Sequence, residues 1–364
     1  MEITAAVSRE DQPSPRLETV ELGGPRAGEI LVRVVATGIC HSDLMFHGQF
    51  GAMFAPKPIV LGHEGSGIVE AVGIGVTALE PGDHVVLSGN SCGHCPNCHS
   101  GRTVYCDHMV KLCWSGGRAD GTSPISQCGH QVSGVFFGQS SFATHVIAPE
   151  RSAVKVPRDV PLHLLGPLGC AMVTGAGSVL EALSVRPGQS IAIFGTGSVG
   201  LAAVMAAKIA GASRIVAVDV NKERLELAKS LGASDVIHSD AETGGALRQL
   251  EPRGFDFSFI TASAPQVFDA ATACLGVGGT AGYVIFPREP WVPNLERLMT
   301  GGCKLQGIIG GFANPQTGIP LLIDYWRKGM FPFERLITEY RFDQIDQAWE
   351  QYRSGQVIKP VLRM

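Results

Sequence analysis

The sequence predicts an α/β plus β protein: an irregular, mostly β domain followed by a doubly wound parallel sheet. Three observations carry this reading. Up to about residue 170, Gly and Pro break the chain into short β-like runs. From about Thr174, strand-length apolar runs alternate with helix-length ones. The first of these alternations turns through Gly195-Thr196-Gly197-Ser198-Val199-Gly200.

In the first region Glu29 to Ala36 and Asp83 to Leu87 read as strands, the second opened by the turn Pro81-Gly82-Asp83. In the second region Ser190 to Phe194 is a strand, Leu201 to Ile209 an apolar helix, and Arg214 to Val218 the next strand. A helix from Arg224 to Leu231 and a strand from Asp235 to Ile237 continue the series, as a doubly wound sheet requires. After about Gly310 comes an amphipathic segment, Phe342 to Tyr352, and a last strand, Val357 to Leu362. No internal repeat or low-complexity linker intervenes.

Composition narrows the function. The chain has 364 residues, 45% hydrophobic and 17% charged, enough for ample core in two domains. A net charge of −4 without a basic block argues against nucleic acid or an anionic membrane and for a small-molecule partner. The start, Met1-Glu2-Ile3-Thr4, has no cationic or apolar leader pattern, and no later apolar run has membrane-spanning length, so a cytoplasmic protein is expected. In a reducing compartment its ten cysteines point to metal rather than to disulfides.

Four of those cysteines form the run Cys92-x2-Cys95-x2-Cys98-x7-Cys106. Four thiolates so close suit a closed tetrahedral Zn²⁺ site. A bacterial Fe–S run has a shorter last gap ending in Cys-Pro, whereas this one ends in Cys106-Asp107, so zinc is favoured. A closed site builds a loop and does no chemistry. Cys113, Cys128, Cys274 and Cys303 show no ligand spacing and are expected to be structural and buried.

The glycine-rich turn is weak evidence alone, but between a strand and a helix it lets backbone approach a pyrophosphate and aims a helix N-terminus at it. Asp219 ends the following strand, nineteen residues beyond Gly200. A carboxylate there accepts hydrogen bonds from ribose hydroxyls and repels a 2′-phosphate, so NAD is preferred to NADP; a plain capping Asp is the alternative. A second, dispersed constellation comprises Cys40-His41-Ser42-Asp43, Gly62-His63-Glu64-Gly65 and Gly169-Cys170. Two thiolates and one imidazole leave zinc one open position, as catalysis needs, although a single buried Cys is more often a core residue.

Through these motifs, with Thr174-Gly175, the chain resembles the zinc-containing medium-chain alcohol dehydrogenases over essentially its whole length. It is most similar to the bacterial aryl (benzyl) alcohol dehydrogenases, through Phe136-Phe137-Gly138-Gln139-Ser140-Ser141-Phe142-Ala143-Thr144 and the tract from Ile319-Pro320 to Tyr340. The resemblance implies a GroES-like zinc and catalytic domain, residues 1–172 completed by 311–364, with a Rossmann domain inserted at 173–310. It implies two zinc ions per chain: one catalytic, on Cys40, His63 and Cys170, and one structural, on Cys92, Cys95, Cys98 and Cys106. It also implies NAD, and reversible oxidation of a primary aromatic or allylic alcohol, of benzyl alcohol type, to its aldehyde.

Residue roles follow from the same resemblance. Zinc would lower the pKa of the alcohol, Ser42 would accept its proton, and Asp43 would hold the His63 imidazole. Glu64 would either approach the metal transiently or bury a carboxylate behind it. His41 and Lys359 would lie by the pyrophosphate, Thr174 and Val199 would press on the nicotinamide, and Arg224 would flank the adenosine ribose. Gly195, Gly197, Gly200 and Asp219 complete the cofactor set. Ser88, Phe136 and Phe137 would line the substrate pocket. For Ser42, Asp43, Lys359, Arg224 and the phenylalanines, ordinary turn, surface or core roles are the competing readings.

Two positions depart from the family. Met45 stands where many relatives carry the last histidine of a proton relay, with His47 a nearby substitute or a plain loop residue. Tyr283-Val284-Ile285-Phe286 lacks the usual glycine, which puts nicotinamide contacts from Val284 and Phe286 in doubt. Competing functions are a glutathione-dependent formaldehyde dehydrogenase, a general aliphatic alcohol dehydrogenase, and a non-catalytic zinc- or nucleotide-binding relative. Relatives are homodimers or homotetramers, and the stretch between Cys106 and Phe136 resembles dimeric members.

Overall fold

The computed structural model describes residues 1–364, which form two compact units. The first comprises Met1–Cys170, Asn314–Leu321 and Glu334–Met364. Its organising strand is Glu29–Gly38, in which Ile30, Val32, Val34 and Ala36 are buried at every second position, the period of a pleated strand with one face on the core. Gly65–Val72 and His145–Pro149 pair with it antiparallel. The C-terminal strand Lys359–Arg363 pairs with its far end, Val361 opposite Gly38 and Leu362 opposite Thr37. That pairing sets the chain's tail beside the segment that begins at Cys40. A second sheet runs Ile59–Val60, Glu2–Ser8, Arg16–Leu22, Ile125–Gln127, His130–Val132.

Between these strands lies an apolar core that includes Phe46, Leu61, Phe136, Phe142 and Trp349. The amphipathic segment near the C-terminus is a helix, Ile345–Arg353, with Ile345, Ala348 and Trp349 buried on one face. Trp349 meets Phe142 edge-on, with ring centroids 6.5 Å apart.

The second unit, Ala171–Ala313 with Leu322–Phe333, is the doubly wound sheet. Its six parallel strands stand in the order Asp235–His238, Arg214–Asp219, Ser190–Phe194, Phe255–Ile260, Leu275–Tyr283, Lys304–Gly307. The order reverses between the strands at 190 and 255, so the glycine-rich turn after Phe194 sits at the switch point, where such sheets bind ligands. Helix Ser198–Ile209 follows, buried at nine of its positions, in keeping with its near-absence of polar residues. Helix Lys222–Leu231 is amphipathic instead, burying Leu225, Ala228 and Leu231. Asn221 caps it by accepting the Arg224 N–H at 3.1 Å.

The units are drawn slightly differently from the sequence reading. Leu322–Phe333 belongs to the sheet unit rather than to the β unit. Leu322, Ile323, Phe331 and Phe333 are buried there, with Phe333 against Trp326 at 6.2 Å. The division falls inside the helix Pro315–Arg327, whose amphipathic spacing does not reveal which core its apolar residues enter. No single helix is long and apolar enough to cross a membrane.

Replacing Trp349 with Ala should cost about 3–5 kcal/mol, the range for losing a buried large aromatic. Val110, half-exposed, should change stability by less than about 0.5 kcal/mol on the same substitution. Urea unfolding of the two variants beside the parent checks both values.

Candidate active site and metal centres

The site is built where the strand Glu29–Gly38 ends. Cys40, extended at φ −118°, caps the helix His41–His47, and Asp43 in its first turn folds back so that one carboxylate oxygen accepts the Cys40 N–H at 2.8 Å. The other oxygen accepts the Gly62 N–H at 3.0 Å and lies 3.0 Å from His63 Nδ1. Asp43 is fully buried, and three donors converge on its carboxylate. Gly62 takes φ +88°, and a Cβ there would lie 2.5 Å from the Phe142 backbone N, so only glycine lets the loop come this close. The bond to Asp43 fixes His63 with its proton on Nδ1. In the neutral imidazole Nε2 is then a bare lone pair, buried and without a hydrogen-bond partner.

That lone pair has company. The ligand atoms of Cys40, His63, Glu64 and Cys170 lie within 4.8 Å of one another, and the Cys40 and Cys170 sulfurs are 4.0 Å apart. Two sulfurs bound tetrahedrally to one zinc stand about 3.8 Å apart, given Zn–S bonds of about 2.3 Å. The shared hydrogen bond between the sulfurs holds the Cys40 thiol well below its ordinary range and, with burial, pushes Cys170 well above. An orphaned buried nitrogen, two sulfurs at metal spacing and a surplus of negative groups fit a zinc ion.

Lys359 is placed differently from the sequence reading. It is wholly buried, and its ammonium donates to both Glu64 oxygens, at 2.9 and 3.1 Å, and to the Ile39 carbonyl at 3.0 Å. All three donors are committed behind the metal cluster, because the C-terminal strand carries the residue there. It is thus a partner of Glu64 and not a pyrophosphate donor. Burial pushes the Glu64 carboxyl up to about 7, against the pull of the Lys359 charge. Gly38 makes the room, since a Cβ there would sit 2.1 Å from Glu64 Oε2.

His41 is exposed at the start of its helix and Ser42 is half-buried beside it. His47 does not substitute for a relay histidine. Its ring is held by Ser8 Oγ at 2.6 Å and the Gln12 carbonyl at 2.8 Å. On an α-helix it lies about 140° around from Ser42, whereas Met45 is only about 60° away.

Cys92, Cys95, Cys98 and Cys106 also converge within 4.8 Å, with the Cys92 and Cys98 sulfurs 3.9 Å apart. Backbone N–H groups aim at the sulfurs: Cys92 N to Cys106, Cys95 N to Cys92, Cys98 N to Cys95 and His108 N to Cys106, at 3.2–3.5 Å. Such donors favour thiolates, the form that binds metal. Of the remaining cysteines, Cys113 and Cys274 are buried and each is pushed up to about 12 by that burial, and Cys303 is half-buried. Cys128 departs from the expected burial. It is exposed at φ +50° in the tight turn joining Ile125–Gln127 to His130–Val132.

In the sheet unit each glycine of the turn has its own reason. Gly195 takes φ +98°, and a Cβ on Gly200 would lie 1.8 Å from the Gly195 carbonyl oxygen. A Cβ on Gly197 would meet nothing within 4 Å, so this glycine leaves open the space a pyrophosphate takes up beside bare backbone. Val199 follows in the first turn of the helix, and Thr174 lies half-buried in the helix Ala171–Gly177. Asp219 Oδ2 accepts from Thr196 N at 2.6 Å and Thr196 Oγ1 at 2.7 Å, and Oδ1 from Asn221 N at 2.8 Å. Arg224 is in the next helix, and Val284 and Phe286 follow the strand that ends at Tyr283, Phe286 being largely exposed.

Known proteins match both units. Residues 26–158 match the family described as alcohol dehydrogenase GroES-like domain, and residues 198–324 the family described as zinc-binding dehydrogenase. A geraniol dehydrogenase of Castellaniella defragrans is 46% identical over 363 residues, covering 98% of this chain and 96% of that one. The chain belongs to the zinc-containing medium-chain alcohol dehydrogenase family. Among solved structures, an alcohol dehydrogenase zinc-binding domain protein from Burkholderia ambifaria has a TM-score of 0.96 at 43% identity, covering 100% of this chain and 99% of that one. A benzyl alcohol dehydrogenase from Acinetobacter calcoaceticus has a TM-score of 0.94 at 39% identity, with the same coverages. This protein is therefore a zinc-dependent alcohol dehydrogenase with a GroES-like domain and a Rossmann domain, of a family that uses zinc and NAD(P).

The residues expected to line the substrate pocket of this dehydrogenase divide. Phe137, at φ +50°, stacks on the His63 imidazole with centroids 4.7 Å apart and planes 27° from parallel. Phe136 has no exposed surface; it packs edge-on to His63 and against Phe46 at 4.7 Å, so it belongs to the core. Ser88 is buried, with its hydroxyl donating to the Gly169 carbonyl at 2.7 Å, which braces the backbone ahead of Cys170. Four further aromatics, beyond the sequence reading, pack together behind Phe136 and Phe137, which Phe46 touches: Phe46, Phe50, Phe54 and Trp114, with neighbouring centroids at 4.9–6.2 Å. Phe46, Phe50 and Phe54 recur at four-residue steps, a signal the sequence did carry. Gln139 was also missed. Buried, it donates to the His63 carbonyl at 3.0 Å and accepts from Gly65 N at 3.0 Å, clasping the ligand loop from behind.

Asp43→Asn keeps an acceptor for Gly62 and His63 but gives up the bond to Cys40 and the negative charge. Zinc affinity at the Cys40–His63–Cys170 site should fall about 10–100-fold. Chelator competition followed by metal analysis checks this.

Proposed function

We propose that this enzyme oxidises primary aromatic or allylic alcohols, of benzyl alcohol or geraniol type, reversibly to their aldehydes with NAD⁺. The observation that carries the substrate reading is the Phe137 ring stacked on His63 beside the Cys40–Cys170 sulfur pair, backed by the Phe46, Phe50, Phe54 and Trp114 rings. A flat or unsaturated substrate next to the carbinol carbon finds an aromatic face there, whereas ethanol has nothing to set against it. The names of the geraniol and benzyl alcohol dehydrogenases to which the chain is similar support the same substrate class.

Cys40, His63 through Nε2, and Cys170 would hold the catalytic zinc, which supplies polarisation of the alcohol oxygen and lowers its pKa. Asp43 keeps the His63 proton on Nδ1, which leaves Nε2 available to the metal. Ser42, two residues beyond the first ligand and half-buried, would accept the hydroxyl proton while passing its own on to solvent, and bound NAD⁺ would supply the hydride acceptor. Lys359 keeps Glu64 paired and at hand beside the ligands. The Cys92–Cys106 quartet would hold a second zinc that stiffens its lobe.

The NAD preference rests on Asp219. Three donors occupy three of about four acceptor positions on its carboxylate, which leaves one for a ribose hydroxyl and a full negative charge against a 2′-phosphate. Replacing Asp219 with Ser should cut the preference for NAD⁺ over NADP⁺ in kcat/KM at least about tenfold, about 1.4 kcal/mol.

Steady-state rates over benzyl alcohol, geraniol and ethanol test the substrate reading. The first two should exceed ethanol in kcat/KM by at least about a hundredfold, and ethanol as the best substrate would refute it. His63→Ala should abolish NADH formation from every alcohol, with one zinc lost per chain.

A further inference from the structure

We propose that Cys92, His94 and His108 form a surface site for one further divalent transition-metal ion, which shares the Cys92 thiolate with the zinc of the quartet. One ligand atom from each of the three lies within 4.8 Å of the others. Both imidazoles are exposed, and their centroids are 6.0 Å apart with the rings tilted by 41°. Each is held in place by the quartet itself. His94 donates from Nδ1 to the Cys92 carbonyl at 2.9 Å, which leaves the Nε2 lone pair for a ligand bond. His108 donates its backbone N–H to the Cys106 sulfur at 3.4 Å, which pins its Cα beside the cluster.

The donor set is selective. Two neutral imidazoles and a thiolate suit zinc, cobalt or nickel and offer nothing that magnesium or calcium prefers. A thiolate bound to one zinc keeps lone pairs for a second ion, and Cys92 is one of the two half-buried residues of the quartet, while Cys95 and Cys106 are buried. Metal–nitrogen bonds near 2.0 Å and metal–sulfur bonds near 2.3 Å ask the three atoms to draw in by roughly 1 Å. Exposed histidine side chains make that movement by rotation about their own bonds. A site in this place would catch ions from solvent at the accessible edge of the quartet.

The inference rests on the quartet being a zinc site, and the two can be tested apart. Zinc-replete protein, dialysed against excess Co²⁺ and then analysed for both metals, should take up about one cobalt per chain with its zinc unchanged. The adduct should show thiolate-to-cobalt charge-transfer absorption. A His94→Ala/His108→Ala double variant should take up at least about tenfold less cobalt at the same free concentration, while keeping the zinc content, melting temperature and alcohol oxidation of the parent. His108→Gln alone should weaken cobalt uptake in the same direction and serves if the double variant is unstable. Equal uptake by parent and variant would overturn the proposal, as would cobalt entering only in exchange for zinc. Fewer than two zinc ions per chain before cobalt is added would instead sink the quartet reading.

Discussion

The Asp43 carboxylate is the point on which the active site depends. Cys40 and His63 are brought by different segments, one at the end of a strand and one in a loop beyond it, and neither segment has secondary structure at the ligand. Asp43 joins them by accepting from the backbone of the first, the backbone of the second and the imidazole itself. Hydrogen bonds to a buried charge are worth about 1.5–3 kcal/mol each, so the clasp is strong for its size. It also chooses the chemistry, since a histidine held at Nδ1 can bind metal only through Nε2.

Such an arrangement gathers negative charge, and the chain answers with one buried cation. Lys359 arrives on the last strand and neutralises Glu64, whose burial would otherwise be prohibitive. Removing either partner alone would strand a charge in the interior, which makes the pair a commitment of the fold to this site. The glycines around it are part of the same commitment. Gly38 clears the Glu64 carboxylate, and Gly166 lets the backbone before Cys170 pass the Glu64 carbonyl, where a Cβ would lie 2.2 Å from the oxygen.

Much of this was legible in the sequence, and the divisions are physical. Periodicity gave the Rossmann strands almost to the residue, because the buried interior of a parallel strand must be apolar: residues 191–194 and 215–218 are examples. The quartet was legible because its ligands are neighbours in sequence. Cys40, His63 and Cys170 were reached through the residues beside them, Asp43 and Glu64, and through a family resemblance; spacing alone does not bring them together. Lys359 was misplaced because its partner is 295 positions away and a buried lysine looks like any other in a sequence. Phe136 and Phe137 could not be told apart, since only the backbone turn, with Phe137 at φ +50°, sends one ring to the core and the other across His63. Cys128 escaped for the opposite reason, a hairpin turn that throws a nominally apolar residue into water.

One carboxylate fixes the tautomer of His63, and with it the nitrogen offered to zinc beside Cys40 and Cys170. Anomalous diffraction from crystals of the zinc-loaded enzyme at the zinc absorption edge tests it most directly. A zinc peak is expected within bonding distance of Cys40 Sγ, Cys170 Sγ and His63 Nε2, with Nδ1 still on Asp43. A peak bound through Nδ1, or none among these three residues, would contradict it.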